Sequence, residues 1–226
     1  MDSPIVTIVI PAKNEEPNIL EVLNGVKPYG DEIILVDGHS ADRTRQIAND
    51  CGARVLLDSG RGKGAALRLA IEEAKGEILV FLDADGSHDP KDIPRLLAPI
   101  LAGEADHVSG SRMLGGSDEL HGTFSQFLRL MGNEIITLGI NYRFNVHLTD
   151  GENGFRAIRT EVAKALDLRE DIHTIEQEMI MKTIKKGYRI VEVPTHEYSR
   201  KHGVSKIELG RVWFRFVYCW LKHLLF

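Results

Sequence analysis

Short apolar runs alternate with helical segments through the first half of the chain, and this alternation constrains the fold most. The apolar runs, which we predict to be strands, cover residues 5–10, 32–36, 54–57, 78–82 and 107–110. The segments between them have helical periodicity and cover residues 15–26, 42–51, 63–75 and 90–102. Apolar strands that alternate with helices are typical of a mostly parallel sheet with helices on both faces. The sequence therefore predicts an α/β fold.

The second half of the chain has a different pattern. We predict helices at 124–140, 175–186 and 207–226, a strand at 189–193, and a loop leading into a strand at 150–158. No internal repeat or long linker divides the chain, so we expect one domain over residues 1–226. Within it we distinguish a first half (1–112), a second half (113–206) and a C-terminal amphipathic helix (207–226).

Length and composition exclude several classes of protein. The chain has 226 residues, of which 43% are hydrophobic and 27% charged, as in a soluble globular protein. The net charge of −5 makes a nucleic-acid partner unexpected. The two cysteines, Cys51 and Cys219, are too few for a disulfide framework or a cysteine-based zinc site. We see no targeting peptide and no apolar stretch of about 20 residues, so we expect a cytoplasmic protein.

Two carboxylates, Asp83 and Asp85, directly follow the apolar run 78–82. Carboxylates at this spacing can share one hard cation with diphosphate oxygens, and Mg²⁺ and Mn²⁺ prefer such ligands. An Asp-x-Asp pattern is also typical of a solvated turn, but the position at the end of a core strand favours the metal site. His88, close by, is a candidate for orienting one of the carboxylates.

Other strand ends also carry polar residues, and the carboxyl ends of parallel strands are where ligands bind. Asp37 can accept a hydrogen bond from a ribose hydroxyl or a base N–H, whereas Asp42 is better explained as a helix N-cap. Lys63 opens a helix, which favours an anion there, although a simple helix start explains it equally well. The first loop lacks the Gly-x-Gly-x-x-Gly fingerprint, which disfavours a nicotinamide-dependent dehydrogenase.

These motifs, in this order, resemble those of family 2 glycosyltransferases of the GT-A fold. The resemblance lies in residues 11–15, the segment that begins at Asp37, and residues 62–67 and 83–85. Farther along, residues 110–112, 150–156 and 200–206 resemble the dolichyl-phosphate mannose synthase branch. Each motif is modest, but together they cover about residues 5–207 and are specific as a series.

The resemblance implies an inverting transfer of a hexose from a sugar nucleotide to dolichyl or another polyprenyl phosphate, with Mg²⁺ or Mn²⁺ as cofactor. It favours GDP-mannose as donor, with UDP-glucose as the alternative. A phosphate monoester is already an anionic nucleophile, so the reaction needs no strong general base. It does need the leaving nucleoside diphosphate to be neutralised and held in line.

The resemblance also assigns roles to individual residues. It implies that residues 1–112 bind the nucleotide sugar, that residues 113–206 form the acceptor half, and that Asp83 and Asp85 bind the metal. The residues implied to bind the donor are Pro11, Ala12, Asn14, Glu15, Asp37, Lys63, Asp83, Ala84, Asp85, Arg112, Arg200 and Ser205. Those implied to take part in catalysis are Asp85, Arg112, Arg200 and Lys206.

The chain departs from the family pattern at several positions. Gly38 stands where many members have a second aspartate, and Ser87 where some have a glutamine metal ligand. His202 stands where some members have arginine. Outside the resemblance, Glu176 and Glu178 lie at the start of a predicted helix, where they are expected to complement its dipole.

Two segments are candidates for contact with a membrane surface. Helix 124–140 has one apolar face formed by Phe124, Phe127, Leu128, Met131, Ile135 and Leu138. The C-terminal helix has an apolar face with Leu209, Trp213, Phe216, Trp220 and Leu224, and a basic stripe with Arg211, Arg215 and Lys222. Apolar residues opposite basic ones are typical of a helix in the membrane interface. The alternative for both helices is packing in the core; otherwise we expect peripheral binding at the cytoplasmic face of a membrane.

Three other functions stay open. The same donor site can serve a soluble or glycan acceptor instead of a lipid phosphate. A non-catalytic module that binds a nucleotide sugar or a lipid is disfavoured by the intact pair Asp83 and Asp85. An interaction protein that uses the aromatic C-terminal helix would have no affinity for nucleotides.

Overall fold

The structure is a computed structural model that describes residues 5–120, 123–203 and 209–225. These residues form one seven-stranded sheet in the order β3-β2-β1-β4-β6-β5-β7. The strands are β1 (Val6–Ala12), β2 (Glu32–Asp37), β3 (Arg54–Leu57), β4 (Ile78–Phe81), β5 (His107–Ser111), β6 (Arg156–Arg159) and β7 (Ile190–Pro194). Only β6 runs antiparallel to its neighbours, β4 and β5. The predicted, mostly parallel sheet is therefore confirmed.

Helices of the described residues cover both faces of the sheet. They are α1 (Glu16–Val26), α2 (Thr44–Asp50), α3 (Lys63–Glu73), α4 (Ile93–Leu101), α5 (Arg112–Gly115), α6 (Phe124–Phe144), α7 (Thr160–Ala165), α8 (Ile175–Lys185) and α9 (Leu209–Leu225). The sequence pattern does not predict α5 and α7, because both are too short for a helical period to be detected. The predicted helix at 90–102 is instead a 3₁₀ turn at Pro90–Asp92 followed by α4.

Alternating side chains of β1 divide the core into two layers. Ile8 and Ile10 are fully buried on one face, where they pack in a cluster with residues of α1 and α4. Val9 is fully buried on the other face, in a cluster with residues of α3, α7 and α8. Because helices remove both faces of the central strands from water, those strands are apolar throughout rather than alternating.

The position of β6 decides which loops meet at the edge of the sheet. Its antiparallel register places Arg156 beside Phe81 of β4. The residues just before Arg156 therefore lie beside the residues just after Phe81, among them Asp83. A segment from the second half of the chain is in this way brought next to the predicted metal ligands.

The C-terminal helix α9 packs against α6 and α8. Phe216, Trp220 and Leu224 join a cluster with the buried Ile136 and Ile140 of α6. The indole N–H of Trp220 donates to the carbonyl of Ile136 at 3.1 Å. The prediction that these three residues belong to a membrane-facing surface is wrong, because that part of the helix is packed on the protein.

The predicted apolar face of α6 is exposed rather than packed in the core. Each of its six large apolar residues is exposed, from 42% for Met131 to 75% for Phe124, and Tyr142 is 91% exposed. A second exposed apolar surface lies on α9 and includes Trp213, Phe214, Tyr218, Leu221 and Leu225. The basic Arg215 is exposed, whereas Lys222 lies 3.2 Å from Glu170; the side chains of Leu209 and Arg211 lie outside the described part. Among the described helices, none has both the length and the apolar content needed to span a bilayer.

Candidate active site

A cavity of about 300 Å³, called the polar cavity here because several charged side chains line it, opens at the carboxyl ends of β1, β2 and β4. Eight of the residues that the sequence predicts to bind a donor line it: Pro11, Ala12, Glu15, Lys63, Asp83, Ala84, Asp85 and Arg200. The parallel register places Ala12 of β1 beside Asp37 of β2, which is why the loops after these strands meet. The structure thus brings most of the predicted donor-binding residues to one place.

Asn14 and Asp37 do not line this cavity, but both form hydrogen bonds that connect the loops next to it. The side chain of Asn14, a residue with a left-handed backbone (φ 52°), accepts a hydrogen bond from the N–H of Ala41 at 2.8 Å. Asp37 is fully buried, and its Oδ2 accepts from the N–H of Ser40 at 3.0 Å. Its other oxygen, Oδ1, is buried and has no hydrogen-bond partner among the described residues. Contact of Asp37 with a ligand remains a prediction. Oδ1 is the atom that can accept a hydrogen bond from such a ligand.

Lys63 is held between two carboxylates at the start of α3. Its Nζ lies 2.6 Å from Oδ1 of Asp83 and 2.8 Å from Oε1 of Glu176. Burial opposes the charge, but the two carboxylates outweigh it and raise the pKa of Lys63. Burial likewise opposes ionisation of Asp83, but the charge of Lys63 and the neighbouring His88 hold the pKa of Asp83 well below its ordinary value. The lysine is therefore part of a charged site and not merely the start of a helix.

The sequence prediction for His88 is supported by its position. The ring is buried, stacks on Phe155 with centroids 4.9 Å apart, and places Nε2 at 3.7 Å from Oδ2 of Asp83. Packing on Phe155 fixes the direction of the ring, so the carboxylate of Asp83 is held on two sides, by His88 and by Lys63.

Asp85 is oriented by its own turn and by a later loop. Its Oδ1 accepts from the hydroxyl of Ser87 at 2.7 Å, and its Oδ2 lies 3.0 Å from Nε of Arg200. Some family members have a metal ligand at the position of Ser87. In this chain Ser87 instead orients Asp85 through its hydrogen bond. Asp83 and Asp85 are suitable ligands for a hard cation, since both are carboxylates that line the polar cavity.

Arg112 forms a buried ion pair beside the site. Its guanidinium donates to Asp150 from Nε at 2.7 Å and from Nη2 at 2.9 Å, and Nη1 lies 3.4 Å from Glu197. Asp150 is fully buried, and its carboxylate raises the pKa of Arg112 against the effect of burial. The guanidinium of Arg112 is already bound to carboxylates. Its contact with a phosphate therefore remains a prediction.

Two segments contribute to the site without a site role assigned from the sequence: residues 150–156, known only as a motif of the resemblance, and the start of α8. Arg156 is buried and donates to the main-chain carbonyls of Asn153 and Glu176, so it joins these two segments. Glu176 is itself buried and bound to Lys63, so the expectation that it only complements the helix dipole is wrong. Glu178, which shared that expectation, is fully buried and accepts from the N–H groups of the residues before the helix.

A second cavity, of about 540 Å³, adjoins the first. Both cavities are lined by Lys63, Asp83, His173 and Arg200. The second cavity also has an apolar wall from α6 and α9, formed by Leu128, Ile135, Ile136, Trp213, Phe216, Val217 and Trp220. The charged end and the apolar wall therefore belong to the same space. Ser205 and Lys206, which the sequence predicts to act here, lie outside the described residues.

Comparisons with known proteins agree with this arrangement. Residues 7–167 match the family model described as Glycosyl transferase family 2. The chain is 34% identical over 200 residues to glycosyltransferase AglJ of Haloferax volcanii, covering 88% of this chain and 64% of AglJ. It is 29% identical over 222 residues to a dolichol-phosphate mannosyltransferase of Pyrococcus furiosus, covering 94% of this chain and 61% of that enzyme. The chain thus spans less than two thirds of the length of these relatives.

Solved structures agree on the fold. A crystal structure of glucosyl-3-phosphoglycerate synthase from Mycobacterium tuberculosis, in complex with Mn²⁺, uridine-diphosphate and phosphoglyceric acid, superimposes with a TM-score of 0.80. The sequences are 23% identical, and the match covers 99% of this chain and 79% of the other. The expected GT-A fold is thereby confirmed. From the family match and the fold, this chain belongs to glycosyl transferase family 2.

Proposed function

We propose that this protein transfers a hexose from a sugar nucleotide to a polyprenyl phosphate at a membrane surface, with a divalent cation as cofactor. The observation that carries the proposal is the meeting of two cavities at Asp83, Lys63 and Arg200. One cavity is polar and lies at the edge of the sheet where nucleotides bind in such folds. The other has an apolar wall that suits the acyclic hydrocarbon of a polyprenol.

The donor is held by the polar cavity. Asp83 and Asp85 would hold the divalent cation, which neutralises charge on the diphosphate when it is bound. The solved neighbours support a divalent cation and a uridine nucleotide in this fold, and the name of the Pyrococcus relative supports mannose. GDP-mannose is our first choice of donor and UDP-glucose our second.

The acceptor phosphate enters from the apolar side. An oxygen of the acceptor phosphate forms a bond to the anomeric carbon, while the bond from that carbon to the diphosphate oxygen breaks, with inversion. Arg200 and Lys63 lie where charge develops on the leaving diphosphate and can stabilise it electrostatically. Because the acceptor is an anion already, no side chain has to remove a proton from it.

The exposed apolar surfaces of α6 and α9 support docking on a lipid surface. Both helices contribute to the wall of the larger cavity and both also expose large apolar side chains. A contiguous apolar patch on a soluble domain usually marks a site of interaction with a membrane or a protein. A polyprenyl phosphate embedded in a bilayer could therefore reach the site without leaving the lipid.

A transfer assay tests the reaction. The protein is incubated with dolichyl phosphate in detergent, Mn²⁺ or Mg²⁺, and labelled GDP-mannose or UDP-glucose, and label is followed into the organic phase. We expect extraction with one donor, loss of it with EDTA, and loss in the Asp83→Asn/Asp85→Asn variant. Asp50→Asn, at an exposed carboxylate on α2, is the control and should keep full activity. Full activity of the double variant would refute the metal role.

The same assay separates the alternatives. Nucleotide binding without extraction would overturn the polyprenyl phosphate as acceptor and favour a soluble molecule or a glycan. Absence of nucleotide binding would refute the transferase and favour an interaction protein.

Binding to lipid is tested on its own by co-sedimentation with anionic vesicles. Leu138→Glu, on the exposed face of α6, should weaken binding at least about tenfold, since burying one leucine is worth about 1.5–3 kcal/mol and 1.4 kcal/mol is a factor of about ten. Leu101→Glu, on α4, is a matched control because Leu101 is 57% exposed and lies outside the two helices. Equal binding by both variants would exclude α6 from the contact.

A further inference from the structure

We propose that Glu152 and Glu176 line the seat of the transferred sugar and restrict the donor to sugars that carry no carboxylate. This inference rests on the proposed transferase function and adds a chemical class to its donor. Nothing in the sequence pattern assigns either glutamate to a ligand.

Both glutamates lie at the junction of the two cavities. They line the larger cavity together with Asp83 and Lys63, which also line the smaller one. The segment of Glu152 runs directly past the metal ligands: a methyl group added at Gly154 would lie 2.8 Å from Nζ of Lys63 and 3.1 Å from Oδ2 of Asp83. A sugar attached to a diphosphate in the polar cavity and facing the acceptor has to pass through this junction.

Each glutamate has an oxygen with unused hydrogen-bonding capacity. Oε1 of Glu152 and Oε2 of Glu176 are buried and have no hydrogen-bond partner among the described residues. A buried carboxylate oxygen without a partner is costly, and such groups are usually satisfied by a ligand or by water. Hydroxyl groups of a hexose are donors, so they can supply the missing bonds.

The charges around this junction oppose a further carboxylate. Burial, and then the charges of Glu176 and Asp150, raise the pKa of Glu152 well above its ordinary value. The carboxylate of a hexuronic acid placed beside these groups would meet the same burial and the same negative charges.

The cations at the junction already have partners, with which the carboxylate of a sugar would have to compete. Lys63 is bound to Asp83 and Glu176, Arg112 to Asp150, and Nε of Arg200 lies 3.0 Å from Oδ2 of Asp85. The fork of Arg156 donates to main-chain carbonyls. A neutral hexose needs no counter-charge, whereas a hexuronic acid would gain one only in competition with these bound partners.

The test is a binding experiment that needs no acceptor. The affinities of UDP, UDP-glucose and UDP-glucuronate are measured by calorimetry with Mn²⁺, or those of GDP, GDP-mannose and GDP-mannuronate if the protein binds GDP. We expect the wild type to prefer the neutral sugar at least about tenfold, the size of discrimination that buried polar groups readily provide. Equal affinity for the neutral and the acidic sugar would overturn the inference.

Two variants divide the effect between the residues. Glu176→Gln should reduce the preference for the neutral sugar about tenfold. Because this preference is the ratio of the affinities for the two sugar nucleotides, any change in the binding of the nucleotide part cancels. Glu152→Ala should weaken the binding of the neutral sugar nucleotide about tenfold and leave the affinity for the nucleoside diphosphate unchanged. Glu104→Gln, at an exposed carboxylate, is the control and should change neither ratio.

The outcomes separate this inference from the proposed function. If Glu152→Ala lost affinity equally for the nucleoside diphosphate and for the sugar nucleotide, Glu152 would have a structural role and the inference would be overturned. Selective sugar binding without transfer to a polyprenyl phosphate would support the inference and overturn only the acceptor. Absence of all nucleotide binding would overturn both.

Discussion

The buried pair of Arg112 and Asp150 gives the most direct test of how this site is held together. Replacing Arg112 with methionine keeps much of the side-chain volume but leaves the carboxylate of Asp150 without its two bonds of 2.7 and 2.9 Å. Asp150 is fully buried, so water cannot take the place of the guanidinium. We expect Arg112→Met to destabilise the whole domain, not only the active site.

The expected loss follows from the burial of the pair. Removing one partner of a buried ion pair usually costs about 3–5 kcal/mol, because an uncompensated charge stays behind. In a domain of this size one kcal/mol shifts the melting temperature by about 2–4 °C, which gives a decrease of about 6–20 °C. Arg112→Lys keeps the charge but loses the fork, so its decrease should be smaller.

Thermal unfolding at pH 7 measures the effect, with Arg43→Met as control. Arg43 pairs with Glu16 on the surface, where solvent replaces the bond, so the control should melt nearly as the wild type does. In the wild type the pKa of Asp150 lies below its ordinary value of 3.8, so its stabilising effect is present above that pH and is lost as pH falls. In Arg112→Met the buried carboxyl can take up a proton instead, so the difference between the two proteins should shrink toward pH 4. A loss no larger than that of the control, or a difference independent of pH, would refute the reasoning.

Three further changes have definite expected results. Gly64→Ala would place a methyl group 2.3 Å from a backbone carbonyl oxygen and should cost about 1–3 kcal/mol in urea unfolding, whereas Gly132→Ala, with nothing within 4 Å, should be tolerated. Glu152→Gln should melt higher than the wild type at pH 8 but not at pH 4.5. The raised pKa of Glu152 means that its stabilising effect is complete below the ordinary value of 4.5 and is lost as pH rises through the folded-state value. Gly154→Ala should weaken nucleotide binding measured by calorimetry, because its methyl group would displace the ammonium of Lys63; unchanged affinity would contradict this.

Local patterns predict which loops of the first half of the chain meet at the edge of the sheet. The strands that end at Ala12, Asp37 and Phe81 are apolar and short, and parallel strands bring their carboxyl ends to one edge. Reasoning of this kind is enough to place Asp83 and Asp85 beside Lys63 without knowledge of the packing.

The part of the site that comes from the second half of the chain could not be predicted in the same way. The pairing of β6 with β4, and the bond between Lys63 and Glu176, join residues far apart in sequence and leave no local signal. Periodicity identifies the apolar face of α6 but does not tell what covers it, because a core helix and an interfacial helix have the same pattern. In the structure Leu138 is 69% exposed, so this face of α6 does not pack in the core.

The insertion of β6 between β4 and β5 makes the two halves of the chain inseparable. A fragment of residues 1–112 would contain β5 without either of its neighbours, β6 and β7, and β4 with one edge unpaired. We therefore expect the fragments 1–112 and 113–226 to aggregate when produced apart and to regain nucleotide binding only when they are produced together. For protein engineering, residues 1–112 therefore cannot be exchanged as an independent unit, since a grafted first half also needs a matching β6 from the second half.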